Sequence, residues 1–281
     1  MTQRRWWRAR AQPGCAACLL APPPLVIILI FLLSTLPSAQ VRDIIITGTS
    51  LSKSAAALAL ATRLGAGVWA TAGVHPHDAS GWGAGSADEL RALASHPKCV
   101  ALGECGLDFN RNFSTPEAQE AALRAQLALA VALRKPLFLH CRDAADRMAE
   151  LLQEALPAGP ALATPAVMHC FTGSAAEAAR FVAMGLHIGF TGWACDEREG
   201  RSVALADAIR AVPLDMLLLE TDAPYLVPRS IAPAKARPRR NEPCLLPHVA
   251  AAVAAARGIG IQELAAATTA NAERLFGLGR A

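Results

Sequence analysis

From residue 41 onward, short apolar runs alternate with alanine- and leucine-rich stretches whose apolar positions recur at helical spacing. Runs this short, continuously apolar and bounded by turn residues, are typical of strands buried in a parallel sheet. The predicted strands are 44–47, 68–73, 99–103, 137–140, 166–169, 186–190 and 217–220. The alternation therefore predicts an α/β fold in which helices cover the sheet.

Helix boundary signals support this interpretation. Thr115 precedes Pro116 and Glu117, the order expected for an N-cap, a first-turn proline and an early acidic residue. Ser174 is followed three residues later by Glu177, the pattern of a capping box. The chain is predicted to end in two helices, 245–257 and 261–275.

A polar residue lies at or just after the end of each predicted strand, and these residues recur at intervals of 22 to 36 positions, close to the length of one βα unit. No glycine-rich phosphate loop follows any of the strands, which favours a barrel over a doubly wound sheet. The sequence therefore predicts a TIM-type (β/α)8 barrel. Only seven strands follow residue 41, so the first βα unit is expected to be missing or replaced.

Residues 1–40 differ in composition from the rest, which divides the chain into an atypical basic and apolar segment, 1–40, and a barrel, 41–281. The first segment has no acidic residue, four arginines and five prolines, and it contains the apolar run 25–33. That run is shorter than the ~20 residues of a spanning helix, but it resembles the core of a secretory signal. We expect a cytoplasmic protein, with a signal or membrane anchor in 1–40 as the alternative.

The segment 26–33 is the only part of 1–40 with the length and apolarity of a buried strand. A parallel crossover usually needs a helix and at least about 10–12 residues. The connection to residue 44 has only about ten residues and contains Pro37. We therefore expect this segment to fill the first-strand position imperfectly or to lie outside the barrel.

Composition narrows the functional classes. The net charge of +4 equals the four arginines of 1–40, because 23 basic residues balance 23 acidic ones after that segment. Nucleic-acid binding therefore requires a local basic patch. The eight cysteines lie mostly in apolar runs of a long chain, so we expect free thiols in a reducing compartment. Cys15 and Cys18 have metal-type spacing but no second pair, and we interpret them as chance.

Residues that commonly bind metals lie where four separate predicted strands meet their loops: Glu104, His140, His169 and Asp222. The carboxyl ends of barrel strands converge on the face that carries active sites, so these side chains are expected to lie together. Mixed imidazole and carboxylate ligands suit a hydrolytic divalent cation such as Mg²⁺, Mn²⁺ or Zn²⁺, and two ions could share Glu104. Asp222 is the best candidate for a general base.

A dense basic cluster follows Asp222 closely along the chain: Arg229, Lys235, Arg237, Arg239 and Arg240. The plain interpretation is a solvated loop. Its position after the candidate catalytic strand favours a rim that contacts substrate phosphates, with Arg237, Arg239 and Arg240 as binding residues.

Five motifs, in this order, resemble the TatD family of metal-dependent deoxyribonucleases: GVHPH (73–77), GECGLD (103–108), HCRD (140–143), HCFTG (169–173) and ETDAPY (220–225). The resemblance runs from about residue 44 to residue 276. Three more segments fit bacterial members: FNRNFS (109–114), GWACDE (192–197) and RRNEP (239–243). The Asp-x-His-x-His motif that opens many family members does not occur before residue 44.

The resemblance implies a barrel of the metallo-dependent hydrolase superfamily with Mg²⁺-dependent 3′→5′ exonuclease activity on single-stranded DNA or RNA. It also implies Glu104, His140, His169 and Asp222 as metal ligands. It places His75 and Arg142 in the substrate pocket and Glu220 beside the metal as a second catalytic residue. We expect a monomer that acts on 3′ ends, and no stable protein partner can be inferred. The alternatives are an amidohydrolase-type enzyme for small molecules and a catalytically compromised product that lacks the first strand.

Overall fold

The computed structural model describes residues 31–33, 41–155 and 164–278. Its strands form one curled sheet in which each strand pairs with the next along the chain, and every pairing from β2 to β8 is parallel. The strands are β1 (Phe31–Leu33), β2 (Val41–Ile46), β3 (Val68–Ala72), β4 (Cys99–Asp108), β5 (Leu137–Arg142), β6 (Ala166–Met168), β7 (Leu186–Phe190) and β8 (Leu217–Leu219). The seven predicted strands and the barrel class are confirmed.

Helices follow the parallel strands and cover the outside of the sheet. They are α1 (Leu51–Leu64), α2 (Ser86–Ala94), α3 (Pro116–Leu133), α4 (Ala145–Ala155), α5 (Ala175–Ala183), α6 (Arg201–Ala211), α7 (Leu246–Arg257) and α8 (Ile261–Phe276). Both predicted caps are present. Thr115 accepts a hydrogen bond from the Ala118 amide at the start of α3, and Ser174 and Glu177 form a capping box on α5.

Strand β4 is longer than predicted. The sequence suggested an end at Gly103, whereas the strand continues to Asp108 through a register shift between Leu102 and Cys105. Glycine allows this irregular path, because a Cβ on Gly106, which has a φ of +153°, would lie 1.8 Å from the His140 carbonyl oxygen. Glu104 therefore lies within a strand rather than just after one.

Strand β1 does not form a parallel first βα unit. It pairs antiparallel with β2, with Phe31 opposite Ile44 and Leu33 opposite Val41 in a shifted register. In the described part of the chain β1 does not pair with β8, and α8 lies against both of these edge strands. The expected replacement of the first unit is confirmed for Phe31–Leu33. Residues 26–30 of the predicted strand and the Cys15–Cys18 pair lie outside the described residues.

Two apolar cores hold the barrel together. The larger one lies between the strands and the surrounding helices. The smaller one lies inside the sheet, where Ile45, Phe138, Val167 and Leu218 meet Phe276 of α8. Each of these strand residues comes before the last residue of its strand. The interior of the sheet is thus apolar at these positions, and the polar side chains lie toward or beyond the carboxyl ends of the strands.

The described cysteines are free thiols, as expected: Cys99, Cys105, Cys141, Cys170, Cys195 and Cys244. Burial raises the pKa of Cys99 to about 11, so this thiol stays protonated at neutral pH. No single described helix has both the length and the apolarity to cross a membrane. Residues 243–257 and α8 meet those criteria only as a pair, and the chain bends by 108° between them.

Candidate metal centre and active site

Three imidazoles converge on one oxygen of Glu104. Its Oε1 lies 2.9 Å from His169 Nε2, 3.0 Å from His140 Nδ1 and 3.3 Å from His75 Nε2. The four residues come from β4, β5 and the segments just after β3 and β6, so the convergence follows from the parallel sheet. The second oxygen, Oε2, is buried and has no hydrogen-bond partner among the described residues.

The pKa values of the carboxylates and imidazoles in this cluster depend on one another. Burial disfavours ionisation of Glu104, yet His75, His169 and His140 hold its pKa well below the usual value. Burial also disfavours a charged His169, but Glu104 and Glu220 raise the pKa of this imidazole well above its usual value. These directions favour a charged His169 beside an ionised Glu104 in the metal-free protein, whereas burial lowers the pKa of His75.

Glu220 fixes the orientation of His169. Its Oε2 accepts hydrogen bonds from His169 Nδ1 at 3.0 Å and from the Cys170 amide at 3.2 Å. Its Oε1 occupies the space above Gly189, where a Cβ would lie 1.7 Å away. A carboxylate on Nδ1 holds Nε2 of the same ring toward Glu104, the arrangement found behind many metal-binding histidines.

Asp108 supports His140 and His77 from the other side. Its Oδ2 lies 2.7 Å from His77 Nε2 and 3.5 Å from His140 Nε2. Burial opposes its ionisation, but the nearby His140 imidazole and the hydrogen bonds from the Arg111 amide and His77 lower the pKa of this carboxyl strongly. Asp108 is 1% exposed, so its carboxylate contacts other protein groups and not solvent.

Asp222 stands close to the cluster in an unusual backbone conformation. Its φ is +54°, a left-handed value that is uncommon for residues other than glycine and that is concentrated at functional sites. Burial raises the pKa of this carboxyl to about 7; His169 opposes the rise, whereas Glu104 and Glu220 add to it. Its Oδ2 lies 3.9 Å from the Cys170 sulfur.

Buried amides hold the loops around these residues. Gln119 and Gln126 project from the same face of α3, since they are seven residues apart. The Gln119 side chain bonds the amide and carbonyl of Asp108, and the Gln126 side chain bonds both backbone groups of Val74, next to His75. Asn241 donates to the carbonyl oxygen of Thr221, next to Asp222, at 2.6 Å.

We call residues 229–240 the basic loop. Asn241 ties its end to the segment that carries Asp222. Arg239 and Arg240 are exposed on this loop. Arg237 uses its guanidinium inside the loop, where it donates to the carbonyl oxygens of Ile231 at 2.9 Å and Arg229 at 2.6 Å.

The structure brings together Glu104, His140, His169 and Glu220 and places Asp222 beside them. It places His75 directly on Glu104, although the sequence grouped this residue with the substrate pocket. Arg142 lies partly buried at the carboxyl end of β5. The roles of all these residues remain predictions.

Sequence reasoning missed five supporting residues: His77, Asp108, Gln119, Gln126 and Asn241. His77 and Asp108 fall inside the quoted motifs, and Asn241 falls inside RRNEP. Gln119 and Gln126 could have been selected from the sequence, because they are polar residues on the apolar face of helix α3.

Comparison with known proteins places this geometry in a family. The family model described as TatD related DNase matches residues 32–277. A curated relative from Klebsiella pneumoniae, named 3′-5′ ssDNA/RNA exonuclease TatD, is 52% identical over 86% of this chain and 89% of its own length. A relative of the same name from Cronobacter turicensis is 55% identical over 85% of this chain and 88% of its own length.

Solved structures agree with the sequence matches. A TatD homologue from Escherichia coli is 32% identical and superimposes with a TM-score of 0.73 over 85% of this chain and 89% of its own. A TatD family hydrolase from Entamoeba histolytica is 25% identical, with a TM-score of 0.73 over 85% of this chain and 86% of its own. The chain therefore belongs to the family of TatD-related DNases.

Proposed function

We propose that this protein is a divalent-metal-dependent 3′→5′ exonuclease that hydrolyses phosphodiester bonds of single-stranded DNA or RNA. The observation that carries the proposal is the convergence of His75, His140 and His169 on Glu104, beside Asp222, at the carboxyl ends of the barrel strands. Two curated relatives that are 52% and 55% identical to this chain are named for this activity.

The donor set fits a divalent cation. The ligand atoms of His75, Glu104 and His140 all lie within 4.8 Å of one another. Glu104 Oε2 is buried and has no hydrogen-bond partner in the described part of the chain, as expected for an oxygen that completes its coordination with a cation. We propose Glu104, His140, His169 and Asp222 as ligands, with His75 as a further one, and Mg²⁺ as the metal. A bound cation would lower the pKa of a coordinated water and polarise a phosphoryl oxygen.

Asp222 is proposed as the base. Its carboxylate lies near Glu104, Glu220 and His169, where it can accept a proton from the attacking water. The water oxygen bonds to phosphorus as its proton passes to Asp222, the bond from phosphorus to the 3′ oxygen breaks, and the leaving 3′ oxygen takes up a proton from solvent. The products are a nucleoside 5′-monophosphate and a shortened strand with a 3′ hydroxyl.

Glu220 is proposed to act through His169 rather than on the substrate. Both hydrogen bonds to its Oε2 come from the segment after β6, which keeps the imidazole of His169 turned toward Glu104. Its catalytic contribution therefore consists of holding a ligand in place and adding negative charge beside Asp222.

The substrate is proposed to lie against the basic loop. Arg239 and Arg240 are exposed close to Asn241, which is tied to the Asp222 segment. Arg142 lies at the carboxyl end of β5, two residues beyond His140. These positive charges suit the phosphates of a single strand. Action as a monomer in the cytoplasm stays a prediction.

The proposal is tested by replacing Asp222 with alanine. We expect the Asp222→Ala protein to fold and to lose at least about 100-fold in hydrolysis of a single-stranded oligonucleotide, as commonly follows loss of a general base. Asp207→Ala is the matched control, because Asp207 is an exposed acid on α6. A folded Asp222→Ala protein with a near wild-type rate would contradict the assignment.

A further inference from the structure

Phe113 presents an aromatic ring to solvent at the active-site end of the barrel. Its residue exposure is 65%, whereas the large aromatic side chains of the core, such as Phe138 and Phe190, are almost completely buried. It lies in the loop that joins β4 to α3, after the strand that carries Glu104. Loops at the carboxyl ends of barrel strands form the substrate-facing surface.

The loop around Phe113 is held firmly, so the exposure does not reflect a loosely attached segment. Asp108 Oδ1 accepts hydrogen bonds from the amides of Asn110 at 3.0 Å and Arg111 at 2.9 Å. On the other side of Phe113, the Ser114 hydroxyl donates to the His77 carbonyl oxygen at 3.0 Å, and the Ser114 carbonyl accepts from Gln119 at 2.9 Å. The chain thus keeps an apolar ring in water in a fixed position.

A short series of contacts connects this ring to the candidate metal centre. The rings of Phe113 and His77 are perpendicular, with centroids 4.8 Å apart. His77 is bonded to Asp108, whose Oδ2 lies 3.5 Å from His140 Nε2. The His77 ring also lies 4.3 Å from that of His75. The exposed ring is therefore fixed beside the side chains that surround Glu104.

We propose that Phe113, backed by His77, is a stacking platform for a nucleobase next to the phosphodiester bond that is cleaved. The inference rests on the proposed function and names a substrate contact for it. Stacking on an aromatic ring suits this substrate class, because every base has a π face and no particular sequence is required. A ring that is already fixed in position loses little conformational freedom when the base binds.

The test compares Phe113→Ala and Phe113→Tyr with the wild type on three single-stranded oligonucleotides. One is unmodified, one is abasic at the 3′-terminal nucleotide and one is abasic at the penultimate nucleotide. Leu64→Ala is the control for loss of an exposed apolar side chain, because Leu64 is 38% exposed at the end of α1, away from the site. The measurements are KM, kcat and the melting temperature.

We expect Phe113→Ala to raise KM for the unmodified oligonucleotide about 10-fold, equivalent to about 1.4 kcal/mol, with kcat and melting temperature unchanged. On one of the two abasic oligonucleotides it should match the wild type. Phe113→Tyr and Leu64→Ala should keep the wild-type KM on all three.

Two outcomes overturn the platform while leaving the nuclease in place. One is an unchanged KM for Phe113→Ala on all three substrates, and the other is an equal loss on the unmodified and both abasic strands. A wild-type protein that cleaves none of the oligonucleotides with Mg²⁺, Mn²⁺ or Zn²⁺ would instead overturn the proposed function, and the platform with it.

Discussion

Asp222 should destabilise the metal-free protein at alkaline pH. The structure crowds this carboxyl with protein atoms and places it near Glu104 and Glu220, so burial and like charge raise its pKa from 3.8 to about 7. A carboxyl whose pKa is higher in the folded than in the unfolded state opposes folding once it must ionise. We therefore predict that Asp222→Asn stabilises the metal-free protein while it abolishes hydrolysis.

The sign and size follow from the two pKa values. Below pH 3.8 the carboxyl is neutral in both states and costs nothing. The penalty grows as pH rises, because the unfolded chain ionises first, and it is complete above about pH 7. At ~1.4 kcal/mol for each pH unit between the two pKa values, the full penalty is about 4 kcal/mol. At pH 5 it is about 2 kcal/mol by the same arithmetic.

The assay is urea unfolding in a chelator at pH 5 and pH 8, followed by circular dichroism. We expect Asp222→Asn to exceed the wild type in free energy of unfolding by about 2–4 kcal/mol at pH 8 and by about half as much at pH 5. Asp207→Asn is the control. Its side chain is 68% exposed and pairs with Arg210 on the surface, so its effect should be under ~0.5 kcal/mol at both pH values.

Two results would refute this reasoning. If Asp222→Asn is no more stable than the wild type at pH 8, the carboxylate is not strained by its surroundings. If the gain is the same at pH 5 and pH 8, the effect comes from packing or from the left-handed backbone rather than from charge.

Further predictions concern Gly189 and the basic loop. Gly189→Ala would bring a methyl group against Glu220 Oε1. We expect kcat to fall about 100-fold, because displacement of a catalytic group by ~1 Å can have this effect. An unchanged kcat in the folded variant would contradict this prediction. Joint replacement of Arg239 and Arg240 by alanine should raise KM for oligonucleotides. It should also reduce the slope of log binding constant against log salt concentration by about 1.4. An unchanged slope would show that both residues are solvated surface residues that do not contact phosphates. Adding Arg237→Ala should also lower the melting temperature, because this guanidinium holds two carbonyl groups of its own loop.

Much of the fold could be predicted from sequence because strands buried on both faces have a clear pattern. The seven parallel strands are short apolar runs, and their polar successors fall at the spacing of βα units. The extension of β4 was not predicted, because Gly103 and Gly106 look like ends of a strand. In the structure they instead allow the close approach of β4 to β5.

The site was predictable to the extent that parallel strands bring their carboxyl ends together. Glu104, His140 and His169 could be selected by residue type and position alone. A sequence pattern does not give the distances between side chains. The sequence therefore did not show that the imidazole of His75 contacts the carboxylate of Glu104, or that Asp108 lies beside two histidines. Asn241 was missed for the same reason, since a side chain that bonds a carbonyl 20 residues away leaves no periodic signal.

The central claim is tested most directly by digestion of a single-stranded oligonucleotide labelled at its 5′ end. With Mg²⁺, the purified protein should produce a ladder of labelled strands that shorten progressively from the 3′ end. A chelator should stop the reaction, and renewed Mg²⁺ should restart it. Absence of shortening by the folded protein with Mg²⁺, Mn²⁺ or Zn²⁺, or shortening that persists at full rate in the chelator, would contradict the account.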